Sequence, residues 1–154
     1  MIKFTNLKCT TLDKPFVDFR YCKLKALARN NVSLSLRADL FQVPLTNVTV
    51  HMEFFKKYSG FRPFFLNITT NFCDFLRHKK RIKMLDFLFE LLESYSNIIH
   101  SCPFAHDLIV DQMILSPKHF HLLPLPAGEY LLKIFVAAYN DWKAIVSLYV
   151  LVSE

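Results

Sequence analysis

Glycine is almost absent from the 154 residues, occurring twice, and tryptophan occurs once. A phosphate loop or dinucleotide-binding turn needs several glycines so that backbone can approach its ligand. Both are excluded. There is no HExxH motif, no nucleophile elbow and no Gly-rich oxyanion loop, and His100-Ser101 and His106-Asp107 are merely adjacent in sequence. Enzymatic activity and a cofactor are therefore not expected, and His106-Asp107 is read as a turn held by local hydrogen bonds. No run approaches the roughly 18 apolar residues of a spanning helix. Linkers, repeats and breaks in composition are also missing, so residues 1–154 read as a single domain.

Apolar bulk is what the chain has in quantity. Hydrophobic residues make up 53% and charged ones 21%, with sixteen Phe and six Tyr. That composition folds, and it carries more aromatic volume than a simple core of this size needs. The net charge is +6, and the only dense basic run is Arg77-His78-Lys79-Lys80-Arg81 with Lys83 beyond. No nucleic-acid module surrounds it, so nucleic acid is not an expected partner. A solvated charged face is the plain reading, and an anionic or lipid-headgroup contact the sharper one.

N-x-S/T sequons stand at Asn31, Asn47 and Asn67. Each lies in a stretch with period-two alternation, which fixes where side chains point. Val32, Leu34, Leu36, Ala38 and Leu40 oppose Asn31, Ser33, Ser35, Arg37 and Asp39. Val48, Val50, Met52 and Phe54 oppose Asn47, while Phe64, Leu66, Ile68 and Phe72 oppose Asn67. All three Asn therefore fall on polar faces, as glycosylation requires.

The cysteines, Cys9, Cys22, Cys73 and Cys102, form an even set. In a secreted chain they read as two disulfides, with three pairings open. Cys9 with Cys22 is preferred, because Lys14-Pro15 offers a turn that folds two extended segments into a hairpin, and Cys73 with Cys102 then follows. Four reduced thiols in a cytosolic protein are the alternative. A zinc site using His100, His106, His119 or His121 lacks the usual close cysteine pair. Met1 is followed by Lys3, Asn6 and Lys8 with no apolar leader. Weighed against the sequons and cysteines, this suggests a mature or truncated chain of a secreted protein.

Strands are expected at 16–27, 32–40, 48–55, 64–72, 108–115, 130–139 and 144–152, with Asn140-Asp141 as the last turn. Between them, Ile82, Leu85, Leu88, Phe89, Leu92 and Tyr95 recur at helical spacing and predict an amphipathic helix over about 82–95. Short strands with one helical insertion suggest an antiparallel two-sheet sandwich.

Several motifs occur in a characteristic order: Phe4-Thr5-Asn6-Leu7-Lys8-Cys9, Tyr21-Cys22-Lys23-Leu24-Lys25, Gly60-Phe61-Arg62-Pro63-Phe64, Asn71-Phe72-Cys73, Cys102-Pro103-Phe104 and Pro126-Ala127-Gly128-Glu129-Tyr130. Together they resemble a large insect family of short secreted proteins related to the ML-domain lipid-recognition superfamily. The last three are also similar to that superfamily's ganglioside activator protein. The resemblance implies an immunoglobulin-like sandwich whose sheets splay apart around a lipid, with Cys73 paired to Cys102. Some insect relatives are linked to taste or pheromone detection.

The expected function is a secreted carrier of a lipid or other hydrophobic small molecule. The alternative is an extracellular module that acts on a membrane receptor or channel through its surface. Cavity candidates are Phe54, Phe64, Leu66, Ile68, Phe72, Tyr130, Leu132, Ile134 and Val136, with Leu85, Leu88 and Leu92 on a covering helix. Lys79, Lys80, Arg81 and Lys83 are the headgroup candidates. A continuous apolar void of several hundred Å³ separates the carrier from the alternative, whose core is filled.

Overall fold

The computed structural model describes residues 1–78, 86–116 and 125–153. In chain order the elements are β1 (Ile2–Thr11), β2 (Val17–Ala28), β3 (Asn31–Leu40), β4 (Val48–Lys57), β5 (Phe61–Asn71), α1 (Phe72–His78), α2 (Asp86–Tyr95), β6 (Leu108–Ile114), β7 (Gly128–Ala138) and β8 (Asp141–Val152). Five strands form one antiparallel sheet in the order β1-β8-β7-β4-β5, and β2-β3-β6 form a second. The chain is a mostly-β sandwich with an internal apolar cavity. Strands β8-β7-β4-β5 occupy the G-F-C-C′ positions of an immunoglobulin-type sandwich and β2-β3-β6 those of A-B-E, while β1 extends the larger sheet.

Tyr130 supports that comparison. It opens β7, is fully buried, and donates from its hydroxyl to the Pro126 carbonyl at 2.6 Å. This is the corner bond that ties the start of an immunoglobulin F strand to the chain just upstream. Burial pushes its phenol up from the ordinary value, with a smaller push from Tyr58. Removing the hydroxyl in Tyr130→Phe takes away this part-buried bond and leaves the Pro126 carbonyl to solvent. The expected loss is about 1 kcal/mol in chemical denaturation, with no change of fold.

Both disulfides form, Cys9–Cys22 and Cys73–Cys102. Such bonds belong to an oxidising, extracellular type of environment. No helix among the described residues is long and apolar enough to cross a membrane. The expected hairpin of the first two strands needs correction. β1 pairs with β8 and β2 with β3, so Cys9–Cys22 joins the two sheets at one edge. The reason lies in residues 12–16, where Phe16 N and Val17 N both donate to the Asp13 carbonyl and turn the chain over the edge. Leu12 N remains with the larger sheet, donating to the Lys143 carbonyl.

Two further boundaries differ from the sequence reading. The strand expected to run to Phe72 stops at Asn71, and a short helix follows. Asn71 Oδ1 accepts from Asp74 N at 3.0 Å, an N-cap, and Asp74 puts an acid in the first turn where the helix dipole favours it. The β7–β8 hairpin turns on Tyr139-Asn140, both at positive φ as a two-residue type I′ loop demands, one position earlier than expected. Of the helix expected over 82–95, Asp86–Tyr95 is described, and residues 82–85 lie outside the described set.

Asp107 does more than stabilise a local turn. Its carboxylate accepts from Arg37 Nη2 at 2.8 Å and from Leu40 N at 3.0 Å, joining the start of β6 to β3. The Arg37 bond, then the Leu40 amide, hold the Asp107 carboxyl below the ordinary carboxylate value. A depressed acid contributes stability at pH above its unfolded value of about 4, and that contribution disappears as pH falls through the folded value. Asp107→Asn is therefore expected to flatten the stability-pH curve below about pH 4, measured by urea unfolding across an acid series.

Candidate functional site: an apolar cavity between the sheets

Because strands alternate faces, each sheet turns one apolar set inward, and the two sets join in one core without filling it. A cavity of about 210 Å³ remains between them. β3 supplies Leu34, Leu36, Ala38 and Leu40, and β6 supplies Leu108, Val110 and Met113. From the opposite sheet come Val48, Val50 and Met52 of β4, Ile134, Val136 and Ala138 of β7, and Ala144, Val146 and Leu148 of β8. Leu88, Phe89 and Leu92 of α2 close one side beside Phe72 of α1. A second void of about 40 Å³ adjoins it, with Leu88, Met113 and Leu148 bordering both.

Phe104 and Leu45 also face the main cavity, and they pin each other in place. Leu45 N donates to the Phe104 carbonyl at 2.8 Å, and Phe104 N donates back to Leu45 at 2.9 Å. The Cys73–Cys102 bond fastens the segment carrying Phe104 to α1. Behind Phe104, the His100 ring lies 4.7 Å from it, and the Nε2 atoms of His100 and His106 approach to 2.7 Å. The imidazoles thus brace a cavity-lining loop from outside. Among the described residues no group of three or more His, Cys, Asp or Glu is placed to hold a metal, and His119 and His121 lie outside them.

Among the described residues, one charged residue borders the cavity. Lys143 is the bulged residue of β8, since Val136 pairs with Ala144 and Ala137 with Trp142. Its ammonium is directed to Asp13 at 2.7 Å and Asp141 at 3.1 Å, and it lies 4.4 Å from the Phe16 ring centroid. The Asp13 bond holds the ammonium pKa above its ordinary value, outweighing the opposite pull of burial, with Asp141 assisting. Only the apolar stem faces inward, and among the described residues no polar atom lines the cavity.

The sequence candidates divide into four groups. Phe72, Leu88, Leu92, Ile134 and Val136 line the main cavity. Phe54, Tyr130 and Leu132, again with Leu88, line the smaller void. Phe64, Leu66 and Ile68 border neither, because β5 is the edge strand of its sheet and they pack into the core there. Phe64 closes a ring cluster with Phe54 and Tyr130, at 6.2 and 5.8 Å between centroids. Leu85, Lys79, Lys80, Arg81 and Lys83 lie outside the described residues.

Sequence reasoning missed the contributions of β2 and β3, although the alternation around Asn31 had already turned Leu34, Leu36, Ala38 and Leu40 inward. It also missed Leu91 of α2, which is almost fully buried and borders the smaller void. The sequon residues sit at the surface to different degrees: Asn67 is exposed, and Asn31 and Asn47 are half-buried. Ser33, expected on the polar face, is nearly inaccessible, with its hydroxyl 3.5 Å from the Lys25 carbonyl.

No curated protein matches this chain. A family model does, over residues 50–132, a span running from β4 through both helices, the Cys73–Cys102 bond and β6 to the corner tyrosine of β7. Since that span covers more than half of the chain, the chain belongs to the family described as protein of unknown function (DUF1091).

Proposed function

We propose that this protein is a secreted carrier that holds a hydrophobic small molecule between its two sheets. The observation that carries the proposal is the cavity, about 210 Å³ of space lined by both sheets and α2. Native interiors pack as densely as organic crystals, so an apolar void of this size is a cost that a bound molecule would offset. It falls short of the several hundred Å³ expected of a carrier from the sequence and of the ~300 Å³ at which drug-sized sites begin, but it exceeds the ~150 Å³ apolar cavity that stays dry and accepts benzene. The two disulfides and the three sequons support extracellular residence, and the resemblance to ML-domain lipid-recognition proteins supports the carrier reading and a place in chemosensation.

Equilibrium dialysis of the glycosylated protein against naphthalene and against palmitate tests it. At least one should be retained, and Val136→Phe, which pushes a ring into the cavity, should weaken retention tenfold or more while costing about 1–3 kcal/mol of stability. Retention of neither would remove the carrier reading.

A second reading has its own observation. Phe41, Val43, Tyr139 and Trp142 are each about half exposed. The outer face of the larger sheet also carries the packed rings of His51, Phe135 and Trp142. Such residues suit an extracellular module that acts on a membrane receptor or channel by contact. The two readings separate because Phe41→Ser and Trp142→Ser should impair contact and leave dialysis unchanged.

A further inference from the structure

We infer that the cavity's occupant is a neutral hydrocarbon-like molecule of roughly eight to ten carbon atoms, smaller than a fatty acid or phospholipid and without a buried polar group. This rests on the carrier reading and narrows it by size and by chemistry.

Size comes first. An apolar cavity of ~150 Å³ takes the six carbons of benzene, which is about 25 Å³ per carbon. On that scale 210 Å³ admits about eight carbons. A chain that also enters the adjoining 40 Å³ void, past Leu88, Met113 and Leu148, reaches about ten. A sixteen-carbon acyl chain needs about twice the volume of the main cavity.

Chemistry narrows it further. The walls are mostly strands whose N–H and C=O groups are committed to ladders: β4 pairs on both sides, β7 lies between β4 and β8, and β3 between β2 and β6. The backbone therefore offers an occupant little to bond. Lys143 offers only its stem, because Asp13 and Asp141 hold its ammonium and neutralise its charge. A carboxylate drawn into the cavity would lose its hydration, and among the described residues that line it there is no free cation to meet it. A buried hydroxyl would lose its water bonds without replacement, a penalty worth about tenfold to a hundredfold in affinity.

The experiment is competition on the wild-type protein, with naphthalene as the retained probe and n-octane, n-decane, octanoate, n-hexadecane and palmitate as competitors. Octane and decane should displace naphthalene at concentrations at least tenfold below octanoate, and hexadecane and palmitate should displace little. If palmitate or hexadecane competes best, or octanoate matches octane, the inference is overturned while the carrier reading stands. If the protein retains neither naphthalene nor palmitate, both fall together.

Discussion

Ile134→Asp is expected to destabilise the protein by roughly 3–5 kcal/mol at neutral pH and to abolish retention of any apolar ligand. Ile134 faces the main cavity from β7, a central strand with β4 on one side and β8 on the other. A carboxylate there meets Val136, Val146 and the leucines of β3, and no donor among the described residues. The charge has to be neutralised or the sheets have to part. Protonation is the easier course, so the introduced carboxyl should titrate above the ordinary value. The sign of the pH effect follows. An acid whose folded value is raised costs stability once pH exceeds its unfolded value near 4, and the cost grows until the folded value is passed. Urea unfolding should therefore find the deficit of the variant smallest below about pH 4 and largest near neutrality. A variant with wild-type stability at pH 7 that still retained ligand would mean that Ile134 does not face the cavity.

The second large effect concerns Cys73–Cys102. The bond closes a loop with a sequence separation of 29, and it anchors α1 to the segment that presents Phe104 to the cavity. On chain-entropy grounds such a loop contributes about 3.5 kcal/mol, and the pair Cys73→Ser and Cys102→Ser should lose that much. The shorter Cys9–Cys22 loop, with a separation of 13, is worth about 3 kcal/mol by the same relation. Stability alone does not distinguish the two, but ligand retention does. Loss of Cys73–Cys102 should loosen the Phe104 and α2 side of the cavity and weaken retention. Loss of Cys9–Cys22, at the edge where β1 meets β2, should lower the unfolding midpoint and leave retention near wild type. Equal losses of retention in both variants would show that Phe104 has no special part in holding the ligand.

Much of this architecture was written in alternation. Around Asn31, Asn47 and Asn67 the inward faces could be read directly, because period-two patterning fixes orientation once a strand is recognised. The helix Asp86–Tyr95 was legible through its spacing of three and four. Which strands pair was not legible, since alternation is blind to partners. Nothing in Cys9 or Cys22 says that β1 joins β8 while β2 joins β3, so an expected hairpin was in fact a bridge between sheets. For the same reason the candidates on β5 were inward-facing residues of an edge strand, and Phe64, Leu66 and Ile68 became core packing. The helix at Phe72–His78 did leave a signal, Asn71 with an acid three positions on, but the alternation before it reads as strand through Phe72. Lys143 gave no sign of its position, because only the bulge opposite Val136 and Ala137 turns its stem inward.

Native mass spectrometry of the protein secreted from insect cells, followed by organic extraction, is the most direct measurement of whether the cavity carries a ligand. A bound neutral apolar molecule, released on extraction and lost in Ile134→Asp, is the expected result. A glycosylated, ligand-free mass that stays unchanged after exposure to naphthalene and palmitate would contradict it and leave the surface-contact reading in its place.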